Sequence, residues 1–520
     1  MQGREDAQRG YLDVEALAGE LLVPGSVFAF LAGHRGRLFP DSMMEDLFPS
    51  RRGRPSVPAP VIGSVLVLQA LQGLSDRETA EALTFDLRWK AACGYGLTDR
   101  AFHPSTLTYW RKRLAASGNP HRVMEAIAEV VTETGVLNGR RRRAVDSTVL
   151  DDAVARQDTV TQLIAGVRRF GREIPGGQDL IAAHASGYDY TRTGKPDIAW
   201  DDQDAKDGLI SALVTDALAL LAAVDPGTLE GKAADAYALL ALVAGQDVEP
   251  ADGSDGTDGR FRIARKVAPD RMISTVDPEA RHAHKTQSRQ QDGYKAHIVI
   301  EPDTGLITVA ELTKAAGPEN SDGAVGARLI TKDPTIIGST GVQVLADSAY
   351  GSGEMLAALA LTGHTPVIKP WPLRPAVEGG FTLDDFTVDE AAGTMTCPNG
   401  LTRRITAKRT VTFGAACAGC PFRARCTTAA RGRKIELHQH DALQREHRQR
   451  AKDQDFQDEY RTHRPMVERS IAWLTRGNRR VPHRGISRNN TWLQLRIAGL
   501  NLRRLLNLGL HDSNGTWVTA

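Results

Sequence analysis

The run from Val342 to Gly351 (Val-Gln-Val-Leu-Ala-Asp-Ser-Ala-Tyr-Gly) constrains this chain more than any other stretch. It is apolar, rich in β-branched residues and of strand length, entered through Gly338 and Gly341 and left at Gly351, which predicts a short buried strand. Ser352 to Leu361 is rich in Ala and Leu and reads as a helix. Asp347 therefore falls at the C-terminal end of an apolar strand, where the chain turns into a helix. In open α/β sheets that rim is where ligands and catalytic groups collect. An aspartate that only caps the following helix is the alternative.

A second β-branched strand, Ala144 to Leu150, carries Asp146 near its middle and follows the basic run Arg140 to Arg143. Downstream, Gly293 to Ile300 and Leu306 to Leu312 are two strands joined by the tight turn Pro302-Asp303-Thr304-Gly305, which predicts a hairpin. A helix over Asp322 to Ile330 and a strand over Thr365 to Lys369 complete the order strand, insertion, hairpin, helix, strand, helix, strand. That order is a mixed α/β sheet with helices on its faces. Between the first strand and the hairpin, residues 151 to 270 read as a helical insertion, as in Leu209 to Val224 and Ala233 to Val243. Its Gly- and Asp-rich stretch Glu249 to Gly259 reads as a linker.

At 520 residues the chain is long enough for three or four domains. Its net charge of +2 conceals an asymmetry: residues 401–520 hold 24 Lys and Arg against 9 Asp and Glu, and the remainder holds 41 against 54. A polyanion docking mainly on the C-terminal part is the partner this implies. The apolar run Ala217 to Val224 is too short for a membrane span and the N-terminus has no apolar signal core, which reads as a cytoplasmic protein.

Near the N-terminus, Val61 to Gln72 reads as an apolar helix ending at Gly73, and Ser75 with Glu78 forms a capping box for the next. Helix, short Gly-containing turn and capped helix is a helix-turn-helix pattern. A later helix, Thr106 to Leu114, carries Tyr109, Trp110, Arg111, Lys112 and Arg113. Aromatics among cations suit phosphate contact, so Trp110, Arg111 and Arg113 are expected to face DNA; a helical bundle with a solvated basic face is the alternative.

Five cysteines do not make a disulfide scaffold. Four of them, Cys397, Cys417, Cys420 and Cys426, lie within thirty residues and supply the thiolates of a closed tetrahedral zinc site, against the alternative of four reduced structural cysteines. Such a ribbon would be structural. Cys93 is expected to be buried.

Asp455 to Arg476 predicts a long polar helix with Val467, Ile471 and Leu474 as its apolar stripe. Arg464 and Glu468 are i, i+4 neighbours beside that stripe, which poises Glu468 over the sheet.

Three blocks now resemble a family. Asp146 in Val-Asp-Ser-Thr, Asp347 in Ala-Asp-Ser-Ala-Tyr-Gly and Glu468 in Arg-Pro-Met-Val-Glu-Arg look like the catalytic blocks of DDE transposases of bacterial insertion sequences, closest to the IS1182-like group of the IS4-like assemblage. Asp277-Pro-Glu-Ala-Arg281, Gly293-Tyr-Lys-Ala-His297 and the CPxG…CxxCPxRxxC pattern agree with that group, and the resemblance runs from about residue 35 to 505. It implies an RNase H-like catalytic fold holding two Mg²⁺ (or Mn²⁺) ions on Asp146, Asp347 and Glu468. It also implies double-stranded DNA partners, namely terminal inverted repeats and target DNA, a homodimer in the DNA complex, and a nucleoid-associated bacterial protein. In the family a Tyr-x2-Arg-x3-Glu-x6-Lys signature surrounds the last acid. Arg464 and Glu468 fit it; Tyr460 is one residue early, and Thr475 stands at the Lys position with Arg476 beside it. Tyr460, Arg464 and Arg476 are the expected DNA contacts of this signature.

The expected organisation is a helical DNA-binding region (1–135), an RNase H-like core (136–150 and 271–372), the helical insertion (151–270), a Cys-rich zinc-ribbon insertion (373–450), and a catalytic helix with a basic DNA-binding tail (451–520). The expected activity is DNA cleavage at insertion-sequence ends with strand transfer. An RNase H-like nuclease without strand transfer and a domesticated non-catalytic DNA-binding protein are the alternatives. Trp371, in Lys369-Pro-Trp-Pro372, is expected in a core, with stacking on a flipped base, should the route pass through a DNA hairpin, as the alternative.

Overall fold

The computed structural model describes residues 1–5, 12–50, 52–266, 268, 270–284, 290–477 and 479–520. Its centre is the mixed sheet that the alternating sequence patterns imply. β1 (Arg142–Asp151) pairs antiparallel with β3 (Gln290–Glu301), placing Asp146 opposite Ile298, and parallel with β5 (Gln343–Ala346). β6 (Thr365–Ile368) runs parallel to β5 on the far edge. The other edge of β3 takes β2 (Arg281–His284) and β4 (Leu306–Lys314), both antiparallel. The β3–β4 turn is the predicted one, and Gly305 adopts the left-handed φ of 73° that it requires.

Side-chain alternation sorts the strands onto two faces. Ala144, Leu150, Ile298, Leu345 and Val367 face Val467 and Leu474 of α13 (Gln454–Leu474) and Leu493 and Ile497 of α14 (Ile486–Asn507). Val145, Val299, Val344 and Ala346 face Val325 and Leu329 of α10 (Asp322–Lys332) and Met355 and Leu359 of α11 (Gly353–Leu361). The result is a three-layer α/β/α arrangement, the mixed class read from the sequence.

The N-terminal region is a helical bundle: α1 (Val27–Leu38), α2 (Ala59–Gln72), α3 (Asp76–Phe85), α4 (Leu87–Cys93), α5 (Ser105–Ala115) and α6 (Arg122–Thr134). α2 is apolar all round because it is surrounded; Pro60 to Leu68 are all buried. The Ser75–Glu78 capping box is formed at the start of α3. α14 is shared, with Leu495, Ala498 and Leu502 packing into this bundle while its opposite side covers the sheet. Gly499 permits the close approach, since a Cβ there would lie 2.9 Å from Leu71 Cβ and 3.3 Å from Val67 O.

The insertion is helical as expected, built on α7 (Thr159–Glu173), α8 (Gln203–Ala222) and α9 (Gly231–Gln246) with its own apolar core. The expected linker is instead the turn of a small hairpin, because Val248–Pro250 pairs with Phe261–Ile263. Three-residue strands are too short to leave a period-2 signal, so composition misled. The Cys-rich segment holds a three-stranded sheet (387–389, 394–396, 402–404) and a hairpin (410–412, 434–436) around Phe386, Met395, Val411 and Phe413. It leads into α12 (Asp441–Arg450). Among the described residues no helix is long and apolar enough to cross a membrane.

Candidate active site

Alternation puts Asp146 on the α13 face of β1, and Asp347, two residues beyond Leu345, on that same face. Each aspartate ties one oxygen to the backbone and leaves the other free. Asp146 Oδ1 accepts from Ser147 N at 2.8 Å. Asp347 Oδ1 accepts from Ala349 N at 2.9 Å, capping the single turn Ser348–Tyr350. The capping alternative is therefore true of one oxygen and silent about the other.

Both free oxygens face Arg464. Its Nη2 lies 3.0 Å from Asp146 Oδ2 and 3.9 Å from Asp347 Oδ2, and its Nη1 donates to Val145 O at 2.9 Å. Arg464 is buried, and its Nε has no partner among the described residues. Burial opposes the guanidinium charge, but Asp146, Tyr460 and Asp347 outweigh it and hold the pKa above its ordinary value. Burial raises the Asp146 pKa; Arg464 pulls it down, and the Asp347 charge pushes it up again. One turn before Arg464, the Tyr460 hydroxyl is also raised by burial and feels Arg464, Asp347 and Glu468. One turn after it, Glu468 is exposed, and its side chain makes no hydrogen bond or ion pair among the described residues. Two carboxylates from two strands thus meet at one guanidinium, and Glu468 stands one helical turn beyond it on α13.

Among the described residues no three His, Cys, Asp or Glu side chains stand in position to hold a metal ion. The donor set nevertheless suits a hard cation, because two aspartate oxygens already converge on a positive charge and Glu468 is uncommitted.

Sequence reading missed the support behind Asp146. Ser147 points to the opposite face, where its Oγ donates to Asp322 Oδ1 at 2.7 Å, and Lys295 Nζ lies 2.6 Å from Asp322 Oδ2. His297 completes the cluster, with Nδ1 3.7 Å from Asp322 and its pKa pushed down to about 3 by burial. The available signal was alternation, which sends the residue after Asp146 into the α10 face beside Lys295 and His297.

The N-terminal expectation needs correction. Trp110 is 1% exposed, edge-on to Phe48 at 4.9 Å, and so faces the bundle core rather than DNA. Arg111 grips both Asp76 oxygens at 2.9 and 2.5 Å. Arg113 donates to Leu47 O and lies 4.7 Å over both Phe48 and Tyr109. The outer face of α5 instead shows Thr108, Tyr109 and Lys112. Trp371 also departs from expectation: it is 57% exposed, near Gly351, rather than in a core. Arg476 lies just past α13, exposed.

Cys397, Cys417, Cys420 and Cys426 line one small cavity together with Phe381 and Phe413. Burial raises the Cys426 thiol; Arg433 opposes this and the other three thiols add to it. The closed zinc site expected from their spacing is not formed in this geometry.

Two segments match known families. Residues 396–506 match the family described as Transposase DDE domain, and residues 35–113 match the family described as Transposase domain (DUF772). Both are transposase families. Together they support a DDE transposase. The first match takes in Glu468, Arg464 and the four cysteines, and the second takes in α2 to the end of α5's cationic run. Asp146 and Asp347 lie outside both. No curated protein and no solved structure matches the chain.

Proposed function

We propose that this chain is a DDE transposase of the IS1182-like group. It cuts DNA at the ends of an insertion sequence and transfers the strand to target DNA, with Asp146, Asp347 and Glu468 as its catalytic acids. The approach of Asp146 and Asp347 to Arg464, one turn of α13 before Glu468, carries the reading, since the residues lie far apart in the chain and two fall outside the matched segments. An antiparallel hairpin continuing into parallel strands, with acids on the central strand and its parallel neighbour, supports an RNase H-like core.

Asp146 Oδ2, Asp347 Oδ2 and the Glu468 carboxylate would hold two Mg²⁺ or Mn²⁺ ions. Such ions, when bound, neutralise charge growing on the attacking and leaving oxygens of a phosphodiester. The chain's own contribution is preorganisation. The backbone amides of Ser147 and Ala349 fix the two aspartates, and the Arg464 guanidinium holds their other oxygens toward one point. Tyr460 and Arg464 then stand at the same spot as donors to the DNA backbone.

The Cys397–Cys426 module is proposed as a zinc ribbon, supported by four thiols around a single cavity. A homodimer on DNA is proposed from the resemblance. The test is cleavage of a duplex carrying the flanking inverted repeat by purified protein with Mg²⁺. Cleavage that disappears in Asp347→Asn while end binding persists is expected; equal cutting by both proteins refutes the assignment.

A further inference from the structure

From Arg461 to Leu510 the chain holds eleven arginines, no lysine and one acidic residue, Glu468. Several of these arginines are committed to the backbone. Arg479 donates to Val149 O at 3.2 Å, and Arg504 donates to Thr304 O. Arg496, 3% exposed, donates to the carbonyls of Ala70, Leu474 and Arg476 at 2.7, 2.5 and 2.8 Å. Among the described residues no carboxylate pairs with Arg496. Its counter-charge is the carbonyl ends of α2 and α13, where helix dipoles are negative.

A second set is committed to no acceptor. The side chains of Arg469, Arg476 and Arg503 make no hydrogen bond or ion pair among the described residues. Arg469 and Arg476 are seven positions apart along α13 and its end, about 10 Å at helical rise. Arg503, on α14, lies 5.9 Å over the Trp473 ring between them in sequence. Stacking orients a guanidinium and leaves its N–H edges outward. The arginines also crowd one another: burial and Arg476 depress the Arg503 pKa, and burial and Arg469 depress that of Arg504. Mutual repulsion with no paired anion among the described residues is a standing cost that an external anion relieves.

We infer that the seam of Arg469, Arg476 and Arg503 between α13 and α14 is a clamp for a phosphodiester backbone, leading DNA phosphates to Glu468 without reading base sequence. The inference rests on the transposase reading for its partner and adds where the backbone lies. An arginine-only seam favours phosphate, whose oxygens match the guanidinium fork. Glu468, directly before Arg469, makes the seam continuous with the acid site. An acidic polypeptide is the competing occupant.

The experiment is binding of the full-length chain to a labelled random-sequence duplex across a KCl series, with thermal unfolding as the check on folding. Removing one arginine–phosphate interaction should flatten the log–log salt slope by about 0.9. The Arg469→Ala/Arg476→Ala/Arg503→Ala variant should therefore show a slope shallower by about three units and bind at least roughly tenfold more weakly. Arg503→Lys, which keeps charge but loses the stacked fork, should fall between. Lys408→Ala/Arg431→Ala, removing exposed charge from the Cys-rich module, should bind as wild type. If the triple variant does not fold, the exposed Arg476→Ala alone should flatten the slope by about one unit. Wild-type affinity and slope in the folded seam variants overturn the clamp, as does weakened binding to polyglutamate with duplex binding unchanged. None of these readouts needs cleavage, so a chain that fails to cut transposon ends leaves the clamp standing and removes only the catalytic reading.

Discussion

Arg464 and Asp146 form an ion pair at 3.0 Å on the α13 face of the sheet, and the same guanidinium nitrogen reaches Asp347 at 3.9 Å. One internal cation thus faces both strand-borne acids. Removing it leaves two carboxylates facing each other without a counter-charge. Arg464→Gln should therefore destabilise the metal-free protein by on the order of 3 kcal/mol. It should also bind Mn²⁺ more tightly than wild type without DNA, because nothing competes for the aspartates. Calorimetric titration with Mn²⁺ checks this; equal affinity in both proteins contradicts it.

Behind that pair, Asp322 carries a pH-dependent load. Burial raises its pKa, but Lys295, His297 and Ser147 outweigh burial and hold it below its ordinary value. A carboxylate with a depressed folded pKa contributes stability above the unfolded value near 3.9, and that contribution is lost as pH falls through the folded value. Asp322→Asn should be less stable than wild type at pH 7, by about 1–3 kcal/mol. The gap should close below about pH 4. Unfolding curves from neutral to acid pH measure it; a gap that is constant with pH contradicts the account.

The bundle reading of α5 has its own consequence. Trp110→Ala should cost about 3–5 kcal/mol by opening a cavity beside Phe48. Arg111→Ala should lower the melting temperature, through loss of the Asp76 pair, without weakening duplex binding. Weaker binding at unchanged stability would restore the DNA-facing reading.

The strands, the β3–β4 hairpin, the capping box at Ser75 and the long helix bearing Glu468 were legible because each has a local signature: alternation, turn chemistry, a capping pair or an apolar stripe. The small hairpin within the insertion was not, since its strands are three residues long. The direction of α5 was misread because an Arg-rich segment can turn its charges inward: Arg111 on Asp76, Arg113 on a carbonyl. Local sequence does not say which distant partner is waiting. The acids were legible one by one, as a mid-strand position, a strand end and a helix face. Arg464 as the common counter-ion of Asp146 and Asp347, and Asp322 behind them, needed the sheet faces and so the fold.

The four cysteines make a separate prediction. If they close on a metal, elemental analysis should find about one zinc per chain. Cys420→Ser should abolish it and loosen residues 390–430 while the sheet stays folded. Zinc-free protein with four titratable thiols removes the ribbon from the account.

The most direct test of the central claim is metal-dependent cleavage by Glu468→Gln. The Glu468 side chain is exposed and unpaired among the described residues, so the substitution removes one charge without disturbing packing or the Asp146–Arg464 pair. With Mg²⁺ and a duplex carrying the transposon end, the variant should bind as wild type and cut several orders of magnitude more slowly, on the scale expected when transition-state charge loses its stabilisation. Wild-type cutting by Glu468→Gln, with end binding intact, would show that Asp146, Asp347 and Glu468 are not one catalytic site.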